Sequence, residues 1–143
     1  MALKEINDLT EKTTLVYTDE VLMQETSGGT TKKVQVGTLS SGITANAQTG
    51  TTYTLVIGDA GKLVTLSNAS AITLTIPANA SVAFAVGTVI DLLQLGAGQV
   101  TVAITSDTLS SSSGNVKLTG QYSAASIVKT AATTWVLFGD IAA

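Results

Sequence analysis

The chain has 143 residues with seven lysines, ten acidic residues and a net charge of −3, and it contains no histidine, cysteine or arginine. Catalysis near neutral pH relies mainly on histidine, cysteine, or a lysine or carboxylate whose pKa is retuned, so this composition argues against an enzyme. Without cysteine there are no disulfides or thiolate metal sites, and a negative charge without arginine argues against nucleic-acid binding.

The number of charged residues is low for a protein surface. Soluble proteins have about 25% charged residues, whereas this chain has 12% and a mean hydropathy of +0.41. A lone domain with these values exposes apolar surface that other subunits or another protein would cover. The composition therefore predicts an oligomer.

Residues 1–40 are predicted to form an N-terminal attachment arm. Ten of the seventeen charges lie in the first thirty-three residues. Short strands are predicted at Leu15–Tyr17, Val21–Gln24 and Lys32–Val36, with a turn at Ser27–Gly29 joining the last two. Apolar anchors stand between charged or threonine positions, and these are Ile6, Leu9, Leu15, Val21 and Leu22.

The polar residues 41–52 are predicted to link this arm to a β-rich body at residues 53–143. At the start of the body, Tyr53–Ile57 and Lys62–Leu66 flank the turn residues Gly58–Gly61. Two apolar segments around such a turn predict a β-hairpin.

The cleanest strand pattern comes next, where Ile72, Leu74 and Ile76 alternate with threonines and Pro77 ends the run. A second hairpin is predicted from Val89–Leu95 and Gln99–Ile104, which flank a Gly-Ala-Gly turn.

The remainder of the body is predicted as a flexible loop at Ser106–Gly114 and three short strands, at Val116–Leu118, Tyr122–Lys129 and Trp135–Phe138. About eight short strands without a helical period predict an all-β fold, an antiparallel β-sandwich or barrel-like body.

Residues 63–90 carry no charge, which raises the question of a membrane span. Pro77, Asn68, Asn79 and alternating threonines favour strands over a spanning helix. The N-terminal residues turn acidic where a signal peptide would have its apolar region. Neither a membrane span nor a signal peptide is therefore predicted.

Several segments of the body carry a resemblance: GDAGKLVTLSNASAITLTIP from Gly58, F-x-V-G-T-x-I from Phe84, QLGAGQVTV from Gln94, QYS from Gln121 and W-x-L-x-G-D from Trp135. With them the body resembles a β-domain that recurs in virion proteins of tailed bacteriophages, including tail fibres and capsid-associated proteins. The arm, INDLTEKTTLVYTDEVLMQETSGGTTKKVQVGTL, is similar to N-terminal attachment segments of phage fibre and head-associated proteins.

The resemblance implies a homotrimeric virion component without catalysis, cofactor or metal. Its partners are then further copies of itself and the major capsid protein or another virion protein. Neither a long shaft nor a receptor-binding tip follows the body, which favours a capsid decoration (cement) protein on the capsid exterior over a tail or neck fibre. The arm anchors are expected to contact the capsid. The expected residues of the body core and trimer are Ile72, Leu74, Ile76, Phe84, Tyr122, Trp135 and Phe138.

Other interpretations of single features are weaker. Asp8, Asp19 and Glu20 do not have the spacing of a calcium-binding EF-hand loop. The serines of Ser106–Ser113 have no histidine as a base. Tyr122, Trp135 and Phe138 would suit glycan stacking on a receptor-binding fibre, but aromatic residues at strand spacing are typical of a core.

A tailspike glycosidase would need a pair of carboxylates about 5–10 Å apart. The body offers only Asp59, Asp91, Asp107 and Asp140, all expected at strand ends or in loops. The sequence therefore disfavours this class of enzyme.

Overall fold

The computed structural model describes residues 20–24, 31–35 and 43–143, and the chain divides into two units, Met1–Gly42 and Ile43–Ala143. In the first unit, β1 (Glu20–Gln24) and β2 (Thr31–Gln35) form an antiparallel pair. Two of the three strands predicted for the arm, Val21–Gln24 and Lys32–Val36, correspond to β1 and β2.

Two other predictions for the arm, the strand at Leu15–Tyr17 and the turn at Ser27–Gly29, lie outside the described residues.

The second unit consists of short strands in two sheets that pack face to face. Its strands are β3 (Ala45–Gln48), β4 (Thr52–Thr54), β5 (Leu63–Leu66), β6 (Ile72–Ile76), β7 (Val89–Gln94), β8 (Val100–Ile104), β9 (Thr108–Ser111), β10 (Lys117–Leu118), β11 (Ala124–Ala131), β12 (Thr134–Gly139) and β13 (Ile141–Ala142). Single 3₁₀ turns lie at Ile57–Asp59 and Ser112–Gly114. Within the described part of the chain, no helix is long and apolar enough to cross a membrane.

The six-stranded sheet has the order β3-β5-β7-β11-β12-β9, and the five-stranded sheet has the order β13-β10-β8-β6-β4. Three adjacent strands at one edge of each sheet pair in parallel. These are β3, β5 and β7 in the six-stranded sheet and β4, β6 and β8 in the five-stranded sheet. The prediction of an all-β body is confirmed, and of its two predicted forms, a sandwich or a barrel-like body, the structure has two sheets packed together. The prediction of antiparallel pairing is wrong, because both sheets are mixed.

Parallel pairing arises because the chain changes sheet after almost every strand. From β3 to β8 it alternates between the six-stranded and the five-stranded sheet. A parallel neighbour needs a crossover connection, and here each crossover is itself a strand of the opposite sheet. The three pairs β3–β4, β5–β6 and β7–β8 therefore stack as successive coils.

Both predicted hairpins are wrong for this reason. The segments that flank Gly58–Gly61 lie in different sheets, with β4 beside β6 and β5 beside β3 and β7. The segments that flank Gly96–Gly98 are β7 and β8, which also lie in different sheets. A glycine-rich turn serves a corner between two sheets as well as it serves a hairpin.

The second and third coils repeat with one spacing. Each residue of β5 and β6 pairs with the residue twenty-eight positions later, as Leu63 does with Asp91 and Ile72 with Val100. The corners stack as well, because the Gly98 amide donates to the carbonyl oxygen of Asn68 at 2.8 Å. A Cβ at Gly96 or Gly98 would overlap backbone atoms of Asn68 or Ser70, in the corner between β5 and β6. Both positions therefore require glycine.

Two further segments differ from the sequence prediction. Residues 108–111, predicted as part of a flexible loop, form β9 and pair in parallel with β12. Residues 45–48, within the predicted linker, form the edge strand β3.

The core fills the space between the two sheets. In β6 the alternating apolar residues Ile72, Leu74 and Ile76 point inward and are buried as predicted, and the strand ends before Pro77 as predicted. Opposite them lie Trp135 and Phe84, whose rings meet edge to face with centroids 5.4 Å apart. Such aromatic contacts stabilise a core beyond their buried area.

Candidate functional site

The predicted arm anchors are only partly covered by the structure. Ile6, Leu9 and Leu15 lie outside the described residues. Val21 and Leu22 lie in β1, where their backbones pair with Val34 and Lys33 of β2.

Five of the seven residues expected in the body core are buried: Ile72, Leu74, Ile76, Phe84 and Trp135. The other two, Tyr122 and Phe138, are not part of the core of this chain. Tyr122 is 71% exposed because it precedes β11 in a turn, with a left-handed backbone φ of 67°. Phe138 is 50% exposed because it alternates with the buried Leu137 and so points away from the core.

Phe138 belongs to a larger apolar surface on the side of the six-stranded sheet that faces away from the core. The strands β5, β7, β11 and β12 each bury alternate residues and turn the others outward. We call this surface the outer face, and its apolar members are Leu63, Val89, Leu93, Val128, Val136 and Phe138.

Apolar side chains of the outer face adjoin across three neighbouring strands, β7, β11 and β12. Val128 is directly opposite both Val89 and Val136, and side chains paired in this way contact one another across the strands. Among the side chains that β5, β7, β11 and β12 turn outward, only Asp91 is charged. The Ser126 hydroxyl donates to Asp91 Oδ1 at 2.5 Å.

An open groove of about 340 Å³ runs along this surface. Leu63 and Phe138 stand at its two sides, and Asp91, Leu93 and Ser126 line it between them. It has the size to hold one or two apolar side chains of a partner, with a single polar pair at its floor.

A buried polar cluster lies beside β3 and β4, which are edge strands of the two sheets. Asp59, which is 1% exposed, accepts hydrogen bonds from Asn46 Nδ2 at 2.7 Å, Tyr53 Oη at 2.8 Å and the Val56 amide at 2.9 Å. Gln48 Nε2 donates to Asn46 Oδ1 at 2.7 Å. The cluster satisfies the buried carboxylate and ties both edge strands to the 3₁₀ turn.

The same cluster perturbs Tyr53. Burial raises the pKa of the Tyr53 phenol above its ordinary value of 10.0, and the hydrogen bond to Asp59 raises this pKa further. The hydrogen bond from Asn46 opposes the shift. The phenol therefore holds its proton in the folded protein, where it donates to Asp59.

A second polar group is buried in the core itself. Lys129, on β11, is 1% exposed. Its Nζ donates to Asn79 Oδ1 at 2.5 Å and to the Phe84 carbonyl oxygen at 2.9 Å, and it lies 5.6 Å from the Trp135 ring centroid. Asp107 Oδ2 accepts from the Asn79 amide at 2.9 Å, which fixes the loop that carries Asn79.

Neither buried polar group was found by sequence reasoning. The sequence pattern predicts Asp59 in a turn and Lys129 at the end of a strand, and it gives neither residue a buried partner. One signal was present for Lys129, since it occupies the position expected to point inward, two residues after Ile127 and four after Ala125. Lysine there requires a polar partner in the core.

Within residues 43–143, no three side chains of the metal-binding types come together as a metal site. Every buried side-chain nitrogen and oxygen in that part of the chain has a hydrogen-bond partner. The features that stand out are therefore an apolar surface and two satisfied polar clusters.

In comparisons with known proteins, the chain matches no family model and has no significant match among curated proteins.

Proposed function

We propose that the chain is a non-catalytic structural protein of a tailed-phage virion, and that it acts as a homotrimeric decoration protein that binds and stabilises the capsid. The observation that carries this proposal is the outer face, an apolar sheet surface on which Asp91 is the only charged side chain that the four strands turn outward. Such a surface is typical of a protein interface.

A second copy of the chain is the partner proposed for the outer face. An apolar surface excludes a strongly charged partner, because an uncompensated charge buried there would lose its hydration. Another copy supplies a matching surface that is equally poor in charge. Three copies around a threefold axis can each turn the outer face toward the axis, so that different parts of this face contact the two neighbours, and this gives the trimer that the family resemblance implies.

Stabilisation of a shell by such a protein needs no chemistry. DNA packed in a capsid presses outward, and each bound trimer adds contact area that has to be broken before the shell opens. A stable contact buries about 800 Å² on each partner, and repetition over many copies turns a modest contact into a large kinetic resistance. The arm, with Ile6, Leu9, Leu15, Val21 and Leu22, is the proposed capsid contact.

A fibre component that attaches to host glycans is the second candidate, and the exposed Tyr122 and Phe138 favour it. A stacking site for sugars requires aromatic faces open to solvent. Trp135, the aromatic residue best suited to that role, is 1% exposed and packs on Phe84 instead. The decoration role therefore has the better support.

Copy number distinguishes the two roles. We would measure the ratio of this chain to the major capsid protein in purified particles by quantitative mass spectrometry. A decoration protein is present in hundreds of copies per particle, since it covers a shell of repeated subunits. A ratio that corresponds to a few copies would place the chain on the tail or neck and reject the decoration role.

A further inference from the structure

We propose that Lys129 and Asn79 are joined by an intramolecular isopeptide bond, formed by the folded chain itself with release of ammonia. The inference rests on the contact between Lys129 Nζ and Asn79 Oδ1 in the core. It is independent of the proposed virion role.

The reacting groups are already in position. Lys129 Nζ lies 2.5 Å from Asn79 Oδ1, and the amide carbon Cγ is one C=O bond, about 1.2 Å, from that oxygen. An attacking atom held within about 3–3.5 Å of its target is close to the geometry of reaction. The fold thus holds the Lys129 amine in contact with the Asn79 carboxamide.

The surroundings of Lys129 favour its reaction. The two acceptors of Nζ, the Asn79 amide oxygen and the Phe84 carbonyl oxygen, are neutral. The Trp135 ring covers it at 5.6 Å. Burial of an ammonium among neutral groups is costly, and the reaction removes that charge.

The step balances without any further reagent. Once the Lys129 ammonium has lost one proton, the Nζ lone pair forms a bond to Asn79 Cγ, and the Cγ–Nδ2 bond breaks. Nζ loses a second proton as the new amide forms, and Nδ2 takes up both protons and leaves as an ammonium ion. In total, one lysine ammonium and one carboxamide give one secondary amide and one ammonium ion.

The product fits the same site. The new amide is uncharged, and its single N–H retains the Phe84 carbonyl oxygen as an acceptor. Asp107 acts as a positioning residue, because its Oδ2 holds the Asn79 backbone amide at 2.9 Å and so fixes the residue that is attacked.

The bond would stabilise the fold as a covalent cross-link. It joins the loop after β6 to β11 across a separation of 50 residues in sequence. A covalent link between distant residues restricts the unfolded chain, as a disulfide does. A chain without cysteine would obtain by this route a cross-link that reducing agents do not break.

The test is the mass of the full-length protein, purified under native conditions and then denatured. The expected mass is that of the sequence less one molecule of ammonia. Digestion after lysine should give residues 63–117 joined to residues 118–143, because Lys129 is no longer cleaved. An unmodified mass with separate peptides would overturn the proposal, and this result needs no variant.

Variants locate the bond. Lys129→Arg keeps the positive charge but lacks the amine nucleophile, so it should show the unmodified mass. Asn79→Asp should lose water instead of ammonia if it reacts, and no residue pair other than this one should be joined in the digest. Lys117→Arg, which changes a lysine that donates to the Ala143 carbonyl oxygen, should still lose ammonia. Loss of ammonia in Lys129→Arg would contradict the assignment.

Discussion

Gly98 packs against the carbonyl oxygen of Ser70, so that a Cβ at Gly98 would overlap this oxygen. The contact joins two stacked corners of the parallel coils, and it involves backbone on both sides. Backbone atoms cannot turn aside as a flexible side chain can, so the space for residue 98 is fixed by the corner below it.

The corner contact predicts that Gly98→Ala destabilises the protein. Overpacking of a well-packed region costs about 1–3 kcal/mol, and we expect about 2 kcal/mol in the free energy of unfolding, measured with urea. Gly58→Ala is the control, because a Cβ at Gly58 would meet no atom within 4 Å. It should change stability by no more than about 0.5 kcal/mol. Equal unfolding curves for the two variants would contradict the stacked corners.

The buried carboxylate of Asp59 predicts a large loss of stability in Asp59→Ala. This change leaves Asn46 Nδ2, Tyr53 Oη and the Val56 amide without their acceptor. We expect a loss of about 3 kcal/mol, because several buried donors lose a charged partner at once. Tyr53→Phe removes a single donor and should cost about 1 kcal/mol. If denaturant unfolding gave similar losses for both variants, Asp59 would not be the centre of the cluster.

The raised pKa of Tyr53 predicts a loss of stability at high pH. In the folded state the pKa of the Tyr53 phenol lies above its ordinary value of 10.0. Between the unfolded and the folded pKa, the folded state therefore binds more protons than the unfolded state. The free energy of unfolding therefore falls as the pH rises from 10.0 through the higher folded pKa. Tyr53→Phe should remove this part of the decline. Parallel stability curves for the wild type and Tyr53→Phe over that range would show that Tyr53 titrates normally.

The outer face predicts that Phe138→Asp breaks the trimer. The change places a charge on a half-exposed position of an apolar surface, where burial against another copy would strip its hydration. Size-exclusion chromatography with light scattering should show a trimer for the wild type and a monomer for Phe138→Asp. Thr73→Asp, at an exposed position on the other sheet, should stay trimeric. Dissociation by both variants would place the interface elsewhere.

The body is proposed to form the trimer and the arm to bind the capsid. Removal of residues 1–33 should therefore abolish capsid binding and leave the trimer intact. Residues 43–143 have their own core, so the truncated chain should still form soluble trimers. It should no longer bind capsids in a co-sedimentation assay, because the apolar anchors of the arm are gone. Continued capsid binding by the truncated chain would reject the arm as the contact.

Several features of the fold could be predicted from the sequence because they depend on neighbouring residues alone. The alternation of Ile72, Leu74 and Ile76 with threonines defines a strand with one buried side. Pro77 ends that strand because it has no amide hydrogen to donate.

Part of the candidate site was beyond reach of the same patterns. The exposure of Phe138 depends on which side of β12 faces the second sheet, and the turn at Tyr122 depends on where β11 begins. Lys129 reaches Asn79 only because a loop far away in sequence crosses over β11. Contacts of this kind are set by the packing of distant segments.

The sequence by itself determined that the body is made of short strands, where the best of them lies and which apolar residues it buries, since these follow from side-chain period and turn residues. The tertiary structure alone decided how the strands pair. A turn such as Gly96-Ala97-Gly98 has the same local conformational freedom in a hairpin and in a corner between sheets. The choice is made by the stacking of one coil on the next, where Gly98 meets Ser70 across twenty-eight residues of sequence.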